Sequence, residues 1–399
     1  MLFEPLEPNE RFRARREAAR RRRRRRRLAL IALPLAAVLS IAVGSKTITA
    51  REGAAKAKPA ATVAAKPEPA ALPQPRPLPD EVRGVHVTVA LASIEGKLDE
   101  YVALREEGLN TIQLDIKDEN GEIGFTPSAV PLASKVGAAM RYYKPRQVAR
   151  ELHSKGIYLI GRVVVFEDPI LSQNAPHLAI KRRDGSVWTN HAGLGWTNPH
   201  DKRVWDYNVS IAEVAARAGF DEIQFDYVRF PSDGQMEDIV YPGNPKKAKG
   251  WVIAEFVQYA AKRLKPLGVR VSTDLFGLSA TRELGVGQVP KRIGRYVDSM
   301  YPMVYPSHYN PGEYNLDDPN AAPAETVYYS LVHFKRDLRR SKAELIPWLQ
   351  DFSYGRTYGL ADVRAQIEAA RRIGVRGYLL WNPLGVYTPG ALRPASTRG

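Results

Sequence analysis

Over residues 81–390 the sequence predicts an α/β fold, a (β/α)8 barrel of the TIM type, on three observations. Short β-rich runs alternate with helical patterns eight times along about 300 residues. Gly108, Gly156, Gly219, Gly268 and Gly374 each follow a helical stretch just before the next strand, where a left-handed closing turn favours glycine. Carboxylates and large rings recur where the strand runs stop, which is where such barrels carry their chemistry. An open doubly wound sheet is the alternative, but it ordinarily shows a glycine-rich phosphate loop after its first strand. Here Gly84-Val85-His86-Val87 runs into Thr88, Val89 and Ala90.

The elements can be taken in order. Residues 1–27 hold 12 arginines against Glu4, Glu7, Glu10 and Glu17, half of the chain's net charge of +16. Leu28 to Val43 follow as a run without a charge. Arginines resist transfer across a membrane, so the tail is expected to be cytoplasmic. Residues 28–45 are expected to be a transmembrane signal anchor, although sixteen residues reach only about 24 Å. Ala42-Val43-Gly44 offers the small residues of a cleavage site, which would make the protein secreted. A nucleic-acid-binding tail is the competing reading of the arginines, and the adjoining apolar run argues against it. Residues 46–80, with Pro59, Pro67, Pro69, Pro73, Pro75, Pro77 and Pro79, read as a semi-rigid Pro/Ala/Lys-rich linker. Residues 391–399 read as a C-terminal tail.

Within the barrel, strands are expected at Gly84–Val89, Thr111–Ile116, Ile157–Val165, Glu222–Asp226, Val269–Asp274, Ser299–Val304, Glu344–Trp348 and Gly377–Trp381. Helices with apolar residues every three to four positions are expected at Leu98–Glu107, Pro145–Lys155, Val204–Ala218, Trp251–Leu264, Ala324–Arg339 and Leu360–Ile373. The long connection from Phe166 to Asp201, with Trp188, His191 and Trp196, is expected to shape a cleft.

The strand ends then converge on one face. They supply His86 and Thr88, Asp115 with Lys117, Asp118 and Glu119, Glu167 and Asp168, Asp226 with Tyr227 and Arg229, Asp274, Tyr301 with Met303 and Tyr305, Trp348 with Gln350 and Asp351, and Trp381 with Asn382. Paired acids beside aromatic rings suit a sugar. Glycosidic cleavage needs one carboxyl to protonate the leaving oxygen and another as nucleophile or base, and aromatic faces stack on pyranose rings. Asp226 is the candidate nucleophile or charge stabiliser and Asp274 the candidate acid/base, with Asp351 as a third catalytic candidate. His86, Asp115, Glu167, Tyr227, Arg229, Tyr301, Tyr305, Trp348 and Trp381 are candidate substrate contacts. Bland readings stand beside these: Asp226 could pair with Arg229 or with a neighbouring strand, and Asp115 with Lys117. The absence of cysteine excludes disulfides and thiol chemistry. With seven histidines and no metal-ligand spacing, no metal or other cofactor is expected.

The segments GVHVT, NTIQLDIKDENGEIGF, GRVVVFEDP, WTNPHDKRVWDYN, GFDEIQFDYVRFP and DSMYPMVYPSHY resemble a bacterial glycoside hydrolase domain family of unknown exact function, related to the α-amylase-like barrels. The resemblance spans roughly Arg83 to Pro383. It implies a TIM barrel and a polysaccharide substrate. It also implies an Asp nucleophile at the fourth strand end, which Asp226 fits. A Glu acid is implied at the fifth, where this chain has Asp274, and an Asp at the seventh, for which Asp351 is the nearest match.

The expected function is therefore hydrolysis of envelope or extracellular polysaccharide by a membrane-anchored barrel outside the cytoplasm, with no nucleic-acid partner. A non-catalytic carbohydrate-binding barrel serving as an envelope scaffold is the alternative. An aldolase or isomerase is a third class, for which Lys117 is the lone strand-end lysine.

Overall fold

The computed structural model of the protein describes residues 74–394. The expected tail and anchor, 1–45, and most of the linker lie outside them. Among the described residues no helix is long and apolar enough to cross a membrane.

Nine parallel strands form one closed sheet. They are β1 (Arg83–Val87), β2 (Thr111–Lys117), β3 (Tyr158–Val164), β4 (Glu222–Asp226), β5 (Arg270–Phe276), β6 (Ser299–Val304), β7 (Glu344–Leu345), β8 (Trp348–Gln350) and β9 (Tyr378–Trp381). The order runs β5-β4-β3-β2-β1-β9-β8-β6-β7, and pairing of β5 with β6 closes the ring. β7 and β8 both pair with β6 and together make the seventh stave. Pro347 lies between them and has no N–H for the ladder, so the stave expected as one run is split. The result is the expected (β/α)8 barrel. Its central strands are buried on both sides because helices cover the outer face and side chains fill the inside; β2 and β3 are buried at every position.

Five helices lie within a residue or two of expectation: α2 (Pro145–Ser154), α3 (Lys202–Ala218), α4 (Lys249–Leu264), α6 (Pro323–Leu338) and α7 (Leu360–Arg372); α1 (Lys97–Ala103) passes into a 3-10 turn over Leu104–Glu107, and the short α5 (Pro290–Ile293) was not expected. α3 begins at Asp201, whose side chain accepts from the Arg203 N–H, and stops at Gly219 with φ 109°. Between β5 and β6 the helix shrinks to the single turn α5.

Two ends of the described chain pack on the barrel. On the underside, the Arg76 backbone N–H donates to Asp221 at 2.7 Å, and its guanidinium reaches the Ile157 carbonyl. Leu78 joins the inner core. After β9 the chain follows the barrel wall, and Ala391 and Leu392, expected in the tail, are buried. The Tyr378 hydroxyl donates to the Ala391 carbonyl.

A bulge decides what faces inward on β2. Asp115 pairs with Arg162 and Lys117 with Val163, so one residue is skipped between them. Asp115 stays inside while Lys117 turns outward to α3.

Candidate active site

The inner face of the barrel narrows at its C-terminal end to a belt of polar side chains, one from each of six staves. His86 Nε2 lies 3.0 Å from Asp115 Oδ1. Arg162 donates to the same oxygen at 2.8 Å through one Nη. Its Nε and other Nη donate to Asp226 Oδ2 at 2.9 and 2.7 Å. Asp226 Oδ1 accepts from the Tyr227 backbone N–H at 2.6 Å. Trp348 Nε1 donates to Asp274 Oδ1 at 2.7 Å, and the Trp348 ring meets His86 edge-on at 6.2 Å. Asp226 and Asp274 stand side by side, one step beyond the paired Phe225 and Thr273 of β4 and β5.

The two carboxyls have different surroundings. Asp226 receives three N–H donors. Asp274 is 1% exposed, and its Oδ2 has no partner. Burial, with the negative charge of Asp226 next, raises the Asp274 carboxyl well above the usual range; the Trp348 N–H and Arg162 oppose this. Asp115 is also fully buried. Burial opposes its charge, yet His86 and Arg162 beside it hold its carboxyl below the usual range. Its Oδ2 is likewise unpartnered. Arg162 is the hinge of the belt. Burial works against its charge, but Asp115 and Asp226 push its pKa well up.

A third acid, Glu167, enters from the loop after β3. Burial pushes its carboxyl up to about 8; Arg229 opposes this, and Glu119, Asp233 and Asp226 add to it. Asn190 donates to it at 3.1 Å. Arg229 itself is stacked among Trp196, Tyr227 and Phe276, 4.7 to 4.9 Å from each ring. It donates to the Phe230 carbonyl and Ser232 Oγ. Tyr227 adopts φ 50°, which is costly for an aromatic residue and turns the chain sharply after Asp226. On the opposite rim Tyr305 stacks on Trp381 at 5.1 Å, with Phe352 edge-on to both.

The expected site residues are sorted by this geometry. His86, Asp115, Asp226, Asp274 and Trp348 share the belt, and Glu167, Tyr227, Arg229, Tyr305 and Trp381 surround it. Tyr301 does not reach the mouth: it is fully buried in the inner core with Tyr158. Asp351 stands apart, because Thr388 donates to its carboxylate through both N–H and hydroxyl, at 2.8 and 2.5 Å. The partner of Asp226 comes from the neighbouring strand, as Arg162 of β3, and not from Arg229. Lys117 pairs with Asp168 at 2.7 Å and Asn208 at 2.6 Å, not with Asp115. Trp188 and Trp196, expected as cleft lining, are fully buried; Trp188 donates to the Gln235 carbonyl, and His191 is exposed. Sequence reasoning missed Arg162. The signal was there: an arginine inside the apolar run of a central strand must find carboxylates.

The chain matches, over residues 84–387, the model of a family described as "Putative glycosyl hydrolase domain", and it belongs to that family. No curated protein matches it. Among solved structures it is similar to a hypothetical protein from Ruminiclostridium thermocellum ATCC 27405, at 36% identity over 48% of this chain and 96% of that one, with a TM-score of 0.44. It is also similar to the PgaB (BpsB) glycoside hydrolase domain from Bordetella bronchiseptica, at 14% identity over 76% of this chain and 94% of that one, with a TM-score of 0.56. The second likeness shows the shared barrel fold.

Proposed function

We propose that this member of the glycosyl hydrolase domain family cleaves cell-envelope or extracellular polysaccharide, with Asp274 as general acid/base and Asp226 as nucleophile or charge stabiliser. The observation that carries the reading is the unequal pair on adjacent strand ends. A carboxyl raised by burial beside a second carboxylate holds its proton more strongly than a free one and can give it to a leaving glycosidic oxygen. A carboxylate held by three N–H donors keeps its charge in place as the sugar ring becomes cationic. Trp381, stacked on Tyr305 and partly exposed, offers a face for a pyranose ring.

The test is reducing-end release from a panel of envelope polysaccharides, peptidoglycan and glucans. Asp226→Asn and Asp274→Asn are each expected to lower the rate by about 10²–10⁴-fold with the fold intact. In the wild type, release that depends on protonated Asp274 should fall on a basic limb displaced upward from the ordinary carboxylate range, and Asp274→Asn should remove that limb. Unchanged release in both variants would sink the assignment.

A second reading, a non-catalytic carbohydrate-binding barrel, draws on one observation. Arg162 takes Oδ2 of Asp226 twice and the Tyr227 N–H takes Oδ1, which leaves that carboxylate little freedom to attack. Binding without turnover, indifferent to Asp274→Asn, would favour it.

Residues 28–45 are proposed to anchor the barrel outside the cytoplasm. Protease added to intact spheroplasts should then remove the barrel while sparing cytoplasmic markers. A barrel protected until lysis would refute that placement.

A further inference from the structure

The charge of the mouth runs against that of the chain. A protein with a formal net charge of +16 gathers Asp115, Glu119, Glu167, Asp226, Asp233 and Asp274 around one opening. Two cations face them, and both are committed. Arg162 spends its Nε and both Nη groups on Asp115 and Asp226, with Glu119 at 3.8 Å. Arg229 lies within its cage of three rings and donates to Phe230 and Ser232. His86 is engaged with Asp115.

A hydrolase of neutral sugars needs two of these acids. The surplus meets a second observation: Asp115 and Asp274 are at least nine-tenths buried, yet each holds an oxygen without a partner at an inward-facing strand position. Buried carboxylate oxygens are costly unless a donor reaches them.

We infer that the mouth takes a polysaccharide whose sugar units carry free ammonium groups, with Asp115 receiving an ammonium beside the Asp226–Asp274 pair and Glu119 guiding it in from the lip. The inference rests on the proposed hydrolase reading and names its substrate class. An amine on the carbon next to the anomeric centre lies close enough to the reacting bond to meet a carboxylate adjoining the catalytic pair. Its N–H donors would satisfy the bare Asp115 oxygen, and its charge would offset the excess of carboxylates around it, where a hydroxyl brings one donor and no charge. Burial comes first in raising the Glu167 and Asp274 carboxyls, and the neighbouring acids add to it. An N-acetyl group at the same place brings one N–H and no charge.

Calorimetry on the full-length protein tests this with three tetramers of one backbone geometry: glucosamine, N-acetylglucosamine and glucose. The glucosamine tetramer is expected to bind at least about tenfold more tightly than the other two, the worth of one charged hydrogen bond. The advantage should shrink as salt rises from roughly 20 to 500 mM and screens the lip charges. Asp115→Asn and Glu119→Gln should each reduce it, and Glu119→Gln should leave the neutral tetramers within about twofold. Glu119 is a third exposed on its side chain, so Glu119→Gln remains informative where Asp115→Asn disturbs the belt. Equal binding of the three, preference for a neutral tetramer, or no binding by any of them would overturn the inference. Its failure is distinct from that of the hydrolase reading. Reducing-end release from neutral polymers alone would keep the activity and remove the substrate class. Amine-selective binding without turnover would do the reverse.

Discussion

Arg162 shows how one residue can hold a site together. It is buried between two carboxylates, and each of its bonds is charge-assisted. Arg162→Met would leave Asp115 and Asp226 without their counter-ion, and the loss of one partner from a buried ion pair typically costs about 3–5 kcal/mol. Chemical denaturation should show that loss, while an unchanged midpoint would mean the belt is held by other contacts. Glu167 makes a prediction of opposite sign. Its folded value of about 8 lies above the ordinary 4.5, so its contribution to stability is complete below about pH 4.5 and is lost as pH rises toward 8. Glu167→Gln removes that titration. Relative to the variant, the wild type should lose stability between about pH 5 and pH 8. Urea midpoints that move in parallel across this range would show that Glu167 titrates normally.

At the scale of the element, the ends of strands and helices carry the information. The bulge in β2 lets two charged residues two positions apart face opposite ways, Asp115 into the mouth and Lys117 into the Asp168–Asn208 network under α3. That network also fixes the residue beside Glu167, because Asp168 caps the following helical turn by accepting the Leu171 N–H. α3 hands over to β4 at Gly219, and a Cβ in that left-handed turn costs roughly 1–2 kcal/mol. Gly219→Ala should lower the melting temperature with little change in circular dichroism at room temperature. Full retention of the melting temperature would mean that the turn relaxes.

At the scale of the whole molecule, closure of the barrel depends on residues far apart in sequence. β9 pairs with β1 only as far as Val85, so at His86 the ladder on that side runs out. The Tyr387 hydroxyl replaces it, accepting from the His86 N–H at 2.9 Å and donating to the His86 carbonyl at 2.6 Å. Tyr387→Phe should leave both buried groups unpaired, at a cost of roughly 1–3 kcal/mol. It should also loosen His86 in the belt. Thermal unfolding, together with the His86 ring resonances, checks both; an unchanged melting temperature would contradict this account of closure.

The sequence by itself determined the repeat. Its apolar periods switch between two and 3.6, and its glycines fall where a helix must end. Those are local properties, so they place strands, helices and the mouth to which Asp226 and Asp274 belong. Tertiary structure alone decided the partners. Asp226 meets Arg162, 64 residues away, in preference to the nearby Arg229, because inward positions on adjacent staves face each other whatever their distance along the chain. Asp351 is drawn aside by Thr388, Tyr301 sinks below the mouth, and Trp188 and Trp196 fill the core of their own loop. Each outcome depends on which groups arrive from elsewhere to satisfy a buried charge or cover a ring, and no period in the sequence records that.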